Sequence, residues 1–123
     1  MIDVIEQIDL HRHITLITFR RDGRTVPTPL WFAVDDGELL LLTESNSGKV
    51  KRIRNNSQVL IAPCDDTGHI PEGTPTMPAA ARLLDEAGTR RAHHLISLRY
   101  IAEQSDRLRR RDRQWIGIAV TLY

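Results

Sequence analysis

Two Asp-Gly pairs, Asp22-Gly23 and Asp36-Gly37, stand between runs rich in β-branched and aliphatic residues. An Asp-Gly pair supplies the backbone reversal of a tight hairpin, and the flanking runs 14–19, 25–34 and 39–43 favour extended backbone. This spacing predicts a three-stranded antiparallel meander over residues 14–43. Such punctuation is among the stronger short-range hairpin signals.

Further on, Asn46 or Ser47 is placed to cap a short helix over about residues 48–54. Val50 and Ile53 share one of its faces, and Asn55-Asn56 is a candidate left-handed stop. Gln58 to Cys64 reads as a fourth strand. The segment 65–78 holds three prolines and two glycines and reads as a loop. A strand is expected over 79–84 and an amphipathic helix over 89–104, with Ala92, Leu95, Ile96 and Ala102 on its apolar stripe. A charged connector, 106–113, precedes a terminal β-branched strand over 115–122. Six strands, one packed helix and one short helix describe a small antiparallel barrel. It is mainly β and a single domain over residues 1–123.

Composition narrows the function classes. The chain has 123 residues, 27% of them charged, and a formal net charge of +1. That balance creates no global field toward nucleic acid or an anionic membrane. A single cysteine, Cys64, cannot form an internal disulfide, which favours a reducing compartment. Met1-Ile2-Asp3-Val4 opens no secretory signal, and no uncharged apolar run, Leu39 to Leu42 included, comes near the length that spans a bilayer. A cytoplasmic protein is expected.

Several chemistries lack their residues. No G-x-S-x-G stretch is present, and Cys64 falls inside an expected strand, where a small buried hydrophobe suits it better than a reactive thiol. The histidines are His11, His13, His69, His93 and His94. His11 and His13 would share a face of a strand, while His93 and His94 point about 100° apart on a helix and do not chelate together. No metal site is expected. The basic run Arg107 to Arg113 carries Asp112 within it and Asp106 before it, with no interleaved aromatic, so a solvated helix end and loop suits it better than a nucleic-acid site.

The informative segment is LLLTESNSGKVKRIRNNSQVLIAPC, Leu40 to Cys64. A strand ends near Thr43, a polar loop follows, and a helix starts at Ser47-Gly48-Lys49. The first helical turn has unpaired N–H groups and the positive end of the dipole, so it attracts phosphate. Ser47 adds a hydroxyl, Gly48 permits close approach to the backbone, and Lys49 adds a compact charge. Of the 17 cations only Lys49 and Lys51 are lysines, and both fall here. A capped, solvated surface helix is the equal alternative on spacing alone. A second feature tips the balance. Pro27 and Pro29 remove two donors from one side of the second strand, which makes that side either an ordinary edge or a gap where something flat docks.

Together these stretches resemble the split β-barrel, FMN-binding type proteins typified by pyridoxamine 5'-phosphate oxidase, and most of all the branch that uses the deazaflavin coenzyme F420. The resemblance rests on Leu16 to Arg24, Pro27 to Ala33, Ser47 to Asn56, Ala62 to Asp65, Ala81 to Leu84 and Ile116 to Ile118. It implies a homodimer with cofactor at the subunit interface, and a phosphate held by Thr43, Ser47 and Lys49. It also implies a ring lying along Pro27, Thr28 and Pro29, and Arg52, on the same helix face as Lys49, meeting further anionic groups of F420, which carries a phosphodiester and a polyglutamate tail. The implied activity is hydride transfer between F420 and a small unsaturated or quinone-like substrate. No catalytic acid or base is assigned, since the ring carries the redox chemistry. FMN is the alternative cofactor, disfavoured because residues 25–34 carry no cation. The chain also ends without the C-terminal extension that carries substrate contacts in the pyridoxamine-phosphate oxidases. A non-catalytic flavin- or haem-binding protein is the alternative from another class.

Overall fold

The computed structural model describes residues 3–101 and 114–123. A short helix α1 (Val4–Ile8) leads into β1 (His13–Phe19), β2 (Thr25–Leu30), β3 (Ala33–Asp35) and β4 (Glu38–Glu44). Helix α2 (Gly48–Asn55) precedes β5 (Gln58–Cys64) and β6 (Met77–Leu83), and helix α3 (Glu86–Arg99) precedes β7 (Trp115–Leu122). The seven strands form one antiparallel sheet in the order β2-β1-β5-β6-β7-β4-β3. The basic run at 107–113 and the connector around it lie outside the described residues.

The sheet curls. Alternate residues of β1, Ile14 and Leu16, belong to one buried cluster with Leu39 and Leu41 of β4 and Ile118 and Val120 of β7, strands that do not neighbour β1, and with Phe32 and Ile53. A flat sheet cannot bring β1 and β4 to a common interior, so the clustering requires barrel curvature. A second cluster lies on the outer face, where α3 packs on β7, β4 and β3 through Ala92, Ile96 and Tyr100. Helix α2 packs against β1 and β6, and its Ile53 reaches the interior cluster.

The expected architecture holds, with corrections. Strands number seven rather than six, because 25–34 is not one strand. It breaks at Trp31-Phe32, where the Phe32 N–H donates to the Tyr100 hydroxyl at 3.2 Å instead of to a neighbouring strand. The expected meander over 14–43 therefore becomes two hairpins at opposite edges of the sheet, β1–β2 and β3–β4. Both Asp-Gly reversals form. Asp36 and Gly37 take positive φ of 52° and 77°, as a type I′ turn demands, and Gly23 takes 89°. Helix α3 starts at Glu86, earlier than expected, because the Asp85 carboxylate accepts from the Gly88 N–H at 2.8 Å. Asn56 is extended rather than left-handed. The α1 helix was not anticipated. No helix among the described residues is long and apolar enough to cross a membrane.

Candidate functional site

Helix α2 starts as an anion site would. Its first turn contains no acidic residue, and the last turn carries Arg52 and Arg54. A helix exposed only to water gains by placing Asp or Glu at its positive end, and this one has Lys49 in its first turn and no acid there. Helix geometry leaves the N–H groups of Gly48 and Val50 without intrahelical acceptors, since the first bond runs from Lys51 N–H to Ser47 O at 3.4 Å.

Ser47 occupies the cap position with extended backbone, yet its side chain makes no capping bond. Its Oγ is buried and has no hydrogen-bond partner. A buried hydroxyl left unpaired costs free energy that a capping rotamer would recover, so its availability points to an external acceptor or donor.

Arg52 turns back over this turn. Its Nε donates to the Thr18 Oγ1 at 2.7 Å, and a methyl group on Gly48 would lie 2.7 Å from its Nη1. The absence of a side chain at 48 is what lets the guanidinium lie there. Loss of solvent, and secondarily the charge of Arg20, pull the Arg52 pKa below its ordinary value. Thr18 itself is 1% exposed, and its hydroxyl also reaches the carbonyl of Val26 at 3.5 Å. A continuous path thus runs from α2 through β1 to the start of the proline segment on β2.

The sequence-derived residues lie on β2, near the end of β4 and at the start of α2, and Arg52 links the last to the first through Thr18 and Val26. Ser47, Gly48, Lys49 and Arg52 share the first turns of α2. Pro27, Thr28 and Pro29 lie on β2, directly after Val26. Thr43, 5% exposed, sits near the end of β4, four residues before Ser47. On β2, Pro27 pairs with Ile17 and Pro29 with Thr15. Proline cannot donate, so the ladder to β1 falls on Val26, Thr28 and Leu30, and the donor-free positions face the open edge. Of the two alternatives at this strand, an edge is what forms.

Reading the sequence alone missed Thr18, Arg20 and Gly68. Thr18 is legible only once β1 and α2 are packed together. Gly68, at φ 92°, brings the β5–β6 loop against Pro29, where an added Cβ would stand 3.4 Å from the proline Cγ.

The other candidates are occupied elsewhere. Cys64 is buried, and burial pushes its thiol pKa up to about 11, which keeps it protonated and unreactive at neutral pH. His13 Nε2 accepts from the Trp31 indole N–H at 3.2 Å, so its free proton is on Nδ1. His11 precedes β1 rather than sharing a strand face with His13. No group of three or more metal-ligating side chains occurs among the described residues.

No protein-family model matches the chain, and no curated protein matches it either. Solved structures do. A conserved hypothetical protein of Mycobacterium tuberculosis, Rv2991, superposes with a TM-score of 0.75 at 22% identity, covering 99% of this chain and 81% of its own. A putative pyridoxamine 5'-phosphate oxidase from Listeria innocua gives 0.68 at 16% identity, covering 97% and 90%. A structure described as an F420 reductase gives 0.64 at 18% identity, covering 100% of this chain and 96% of that one. The fold is that of the pyridoxamine 5'-phosphate oxidase-like split barrels.

Proposed function

We propose that this split-barrel chain is a redox protein that binds coenzyme F420 and delivers a hydride from it to a small unsaturated or quinone-like acceptor. One observation carries the reading. Ser47 Oγ is buried without a partner at an acid-free helix N-terminus, with the Arg52 guanidinium held over the same turn. That donor set suits a phosphate.

In this reading Ser47, Lys49 and the N–H groups of α2 hold the phosphate, with Thr43 behind them, and the donor-free edge of β2 borders the ring at Pro27, Thr28 and Pro29. The bound ring supplies hydride chemistry. The chain's own part is to bind, to orient and to keep water from the reacting face. None of the residues at this site is assigned as an acid or base.

FMN is the second reading, and one observation favours it. The objection from sequence was that β2 carries no cation. Through Thr18, Arg52 brings a guanidinium from α2 to the Val26 end of that strand.

A second copy of the chain belongs to the same proposal. Cross-strand register aligns Pro27, Ile17, Leu60 and Pro78 in one apolar row on the outer face of β2, β1, β5 and β6. The helix α3 packs on the other strands. The row suits a homodimer whose partner closes the ring site.

Titration of the purified chain with F420 and FMN side by side tests the cofactor, followed by ring fluorescence. Lys49→Ala is expected to weaken binding by about 1.5–3 kcal/mol, as loss of a charged hydrogen bond does. Unchanged affinity removes Lys49 from the site, and failure to bind either compound removes the reading. Reduction of quinone and enone acceptors by the loaded protein tests turnover, and light scattering tests the dimer.

A further inference from the structure

The link between the two edges of the sheet carries a titratable group that the cofactor site does not use. The β1–β2 ladder ends at the pair Ile14 and Leu30, so the next residues across are His13 and Trp31. There the backbone leaves the ladder, since the Phe32 N–H goes to the Tyr100 hydroxyl. A side-chain bond takes the ladder's place: the Trp31 indole N–H donates to His13 Nε2 at 3.2 Å. Trp31 also stacks on the Tyr100 ring, so it fastens the passage from β2 to β3 both to β1 and to the end of α3.

An indole N–H can only donate, and a neutral imidazole accepts through one nitrogen alone. The nitrogen that holds Trp31 is therefore the one a proton from solvent must take. An imidazolium donates from both nitrogens, so the proton and the bond exclude each other. His13 and Trp31 are both partly exposed, within reach of solvent protons.

The ionisable groups on the surrounding segments do not share this behaviour. Arg12 lies over the Tyr100 ring, and Arg99 lies over the rings of Phe32 and Tyr100 and pairs with Asp9. On β5, Cys64 stands directly across from His13, with its thiol pushed up to about 11 by burial. Asp65 follows, held below the usual carboxylate range by bonds from the Thr67 hydroxyl and the His69 N–H. Burial pushes the Tyr100 phenol up. Arginines, carboxylates, phenols and thiols of this kind titrate outside the range in which a histidine exchanges its proton.

We propose that His13 is a proton-operated latch on the passage between β2 and β3. Neutral, it holds the Trp31 indole. Protonated, it releases the indole, and the Leu30 end of the β2 edge loosens. The latch needs only His13, Trp31 and Tyr100, and it stands whichever cofactor the chain takes.

The measurement uses the ligand-free whole chain. Trp115→Phe leaves Trp31 as the only tryptophan. In that background Trp31 is expected to become about twofold more accessible to acrylamide between pH 8 and pH 5.5, as loss of one hydrogen bond allows. Adding His13→Gln, whose amide oxygen still accepts at both pH values, is expected to abolish the change. Adding His11→Gln or His69→Gln is expected to leave it in place. Where Trp115→Phe disturbs the fold, the indole proton resonances of the otherwise unaltered chain decide. The Trp31 resonance, assigned by its loss in Trp31→Phe, is expected to move upfield as pH falls and to stay fixed in His13→Gln. A response that survives His13→Gln overturns the latch, as does the absence of any response with His13 in place.

Discussion

Trp31 lies flat against Tyr100, with ring centroids 4.7 Å apart and planes 6° from parallel. The Arg12 guanidinium covers the other side of the Tyr100 ring at 4.6 Å from its centroid. Tyr100 is fully buried, and its hydroxyl accepts from the Phe32 N–H and lies 2.8 Å from the carbonyl of Arg12. The next residue back, Arg99, pairs with Asp9 and donates to the carbonyls of Asp9 at 2.9 Å and His11 at 2.7 Å. The end of α3 thus clamps the strand break at Trp31-Phe32 to the segment before β1. Stacked rings of this kind add stability beyond their buried area.

Tyr100→Phe keeps the stack and removes the hydroxyl. The Phe32 N–H is then buried without an acceptor, and the chain is expected to lose about 1–3 kcal/mol of stability in urea denaturation. A loss below a few tenths would mean that the break is held by packing alone.

Ser47→Ala separates a ligand site from a helix cap. A working cap lost to alanine costs about 1 kcal/mol. The Ser47 Oγ makes no bond in this fold, so the ligand-free variant is expected to melt at the wild-type temperature or above it. Cofactor affinity is expected to fall by about 0.5–1.5 kcal/mol in the same protein. A drop in melting temperature with unchanged affinity reverses the assignment.

Gly117→Ala probes the seat of α3. A Cβ there would meet Leu84 Cδ1 at 2.9 Å, the Thr89 Cα at 3.2 Å and Ala92 Cβ at 3.3 Å. Backbone cannot yield as a side-chain tip does, so the helix must lift from β7. A destabilisation of about 1–3 kcal/mol is expected from calorimetry. The Gly117 N–H also donates to Thr89 Oγ1 at 2.9 Å, and that bond would lengthen with the helix.

Alkaline stability depends on Cys64. Burial, then the charge of Asp65, raises its thiol pKa from 9.0 to about 11. Folding therefore favours the protonated thiol. Between those two values the unfolded chain releases its proton while the folded chain keeps it, so the unfolded state binds fewer protons and stability falls as pH rises. Cys64→Ala is expected to flatten stability against pH over that window. Alkylation by iodoacetamide at pH 8 is expected to follow unfolding rather than the folded-state thiol.

The Asp-Gly turns, the α2 start and the strands 58–64 and 115–122 were legible from sequence because each is a local signal. Turn chemistry at Asp36-Gly37 and the three-residue spacing of Val50 and Ile53 act within a few positions. The break at Trp31-Phe32 was not legible, because its cause lies at Tyr100, 68 residues away along the chain. Local preference favours continuing the strand, and a distant hydroxyl overrides it. The same distinction divides the site. Ser47, Gly48 and Lys49 declared themselves by adjacency, whereas Thr18 and Arg20 joined only through the packing of α2 on β1.

The strand break also sets how the barrel can deform. Its two edges, β2 and β3, are consecutive in the chain and joined only through Trp31 and Phe32. From Leu30 to Ala33 the chain spans three virtual bonds, so the edges there cannot separate by more than about 11 Å. The Thr25 end of β2 has no such tether and is held to β1 alone. The seam therefore behaves as a clothes-peg. It is tied shut at the tryptophan and carries no second tether at the Thr25 end.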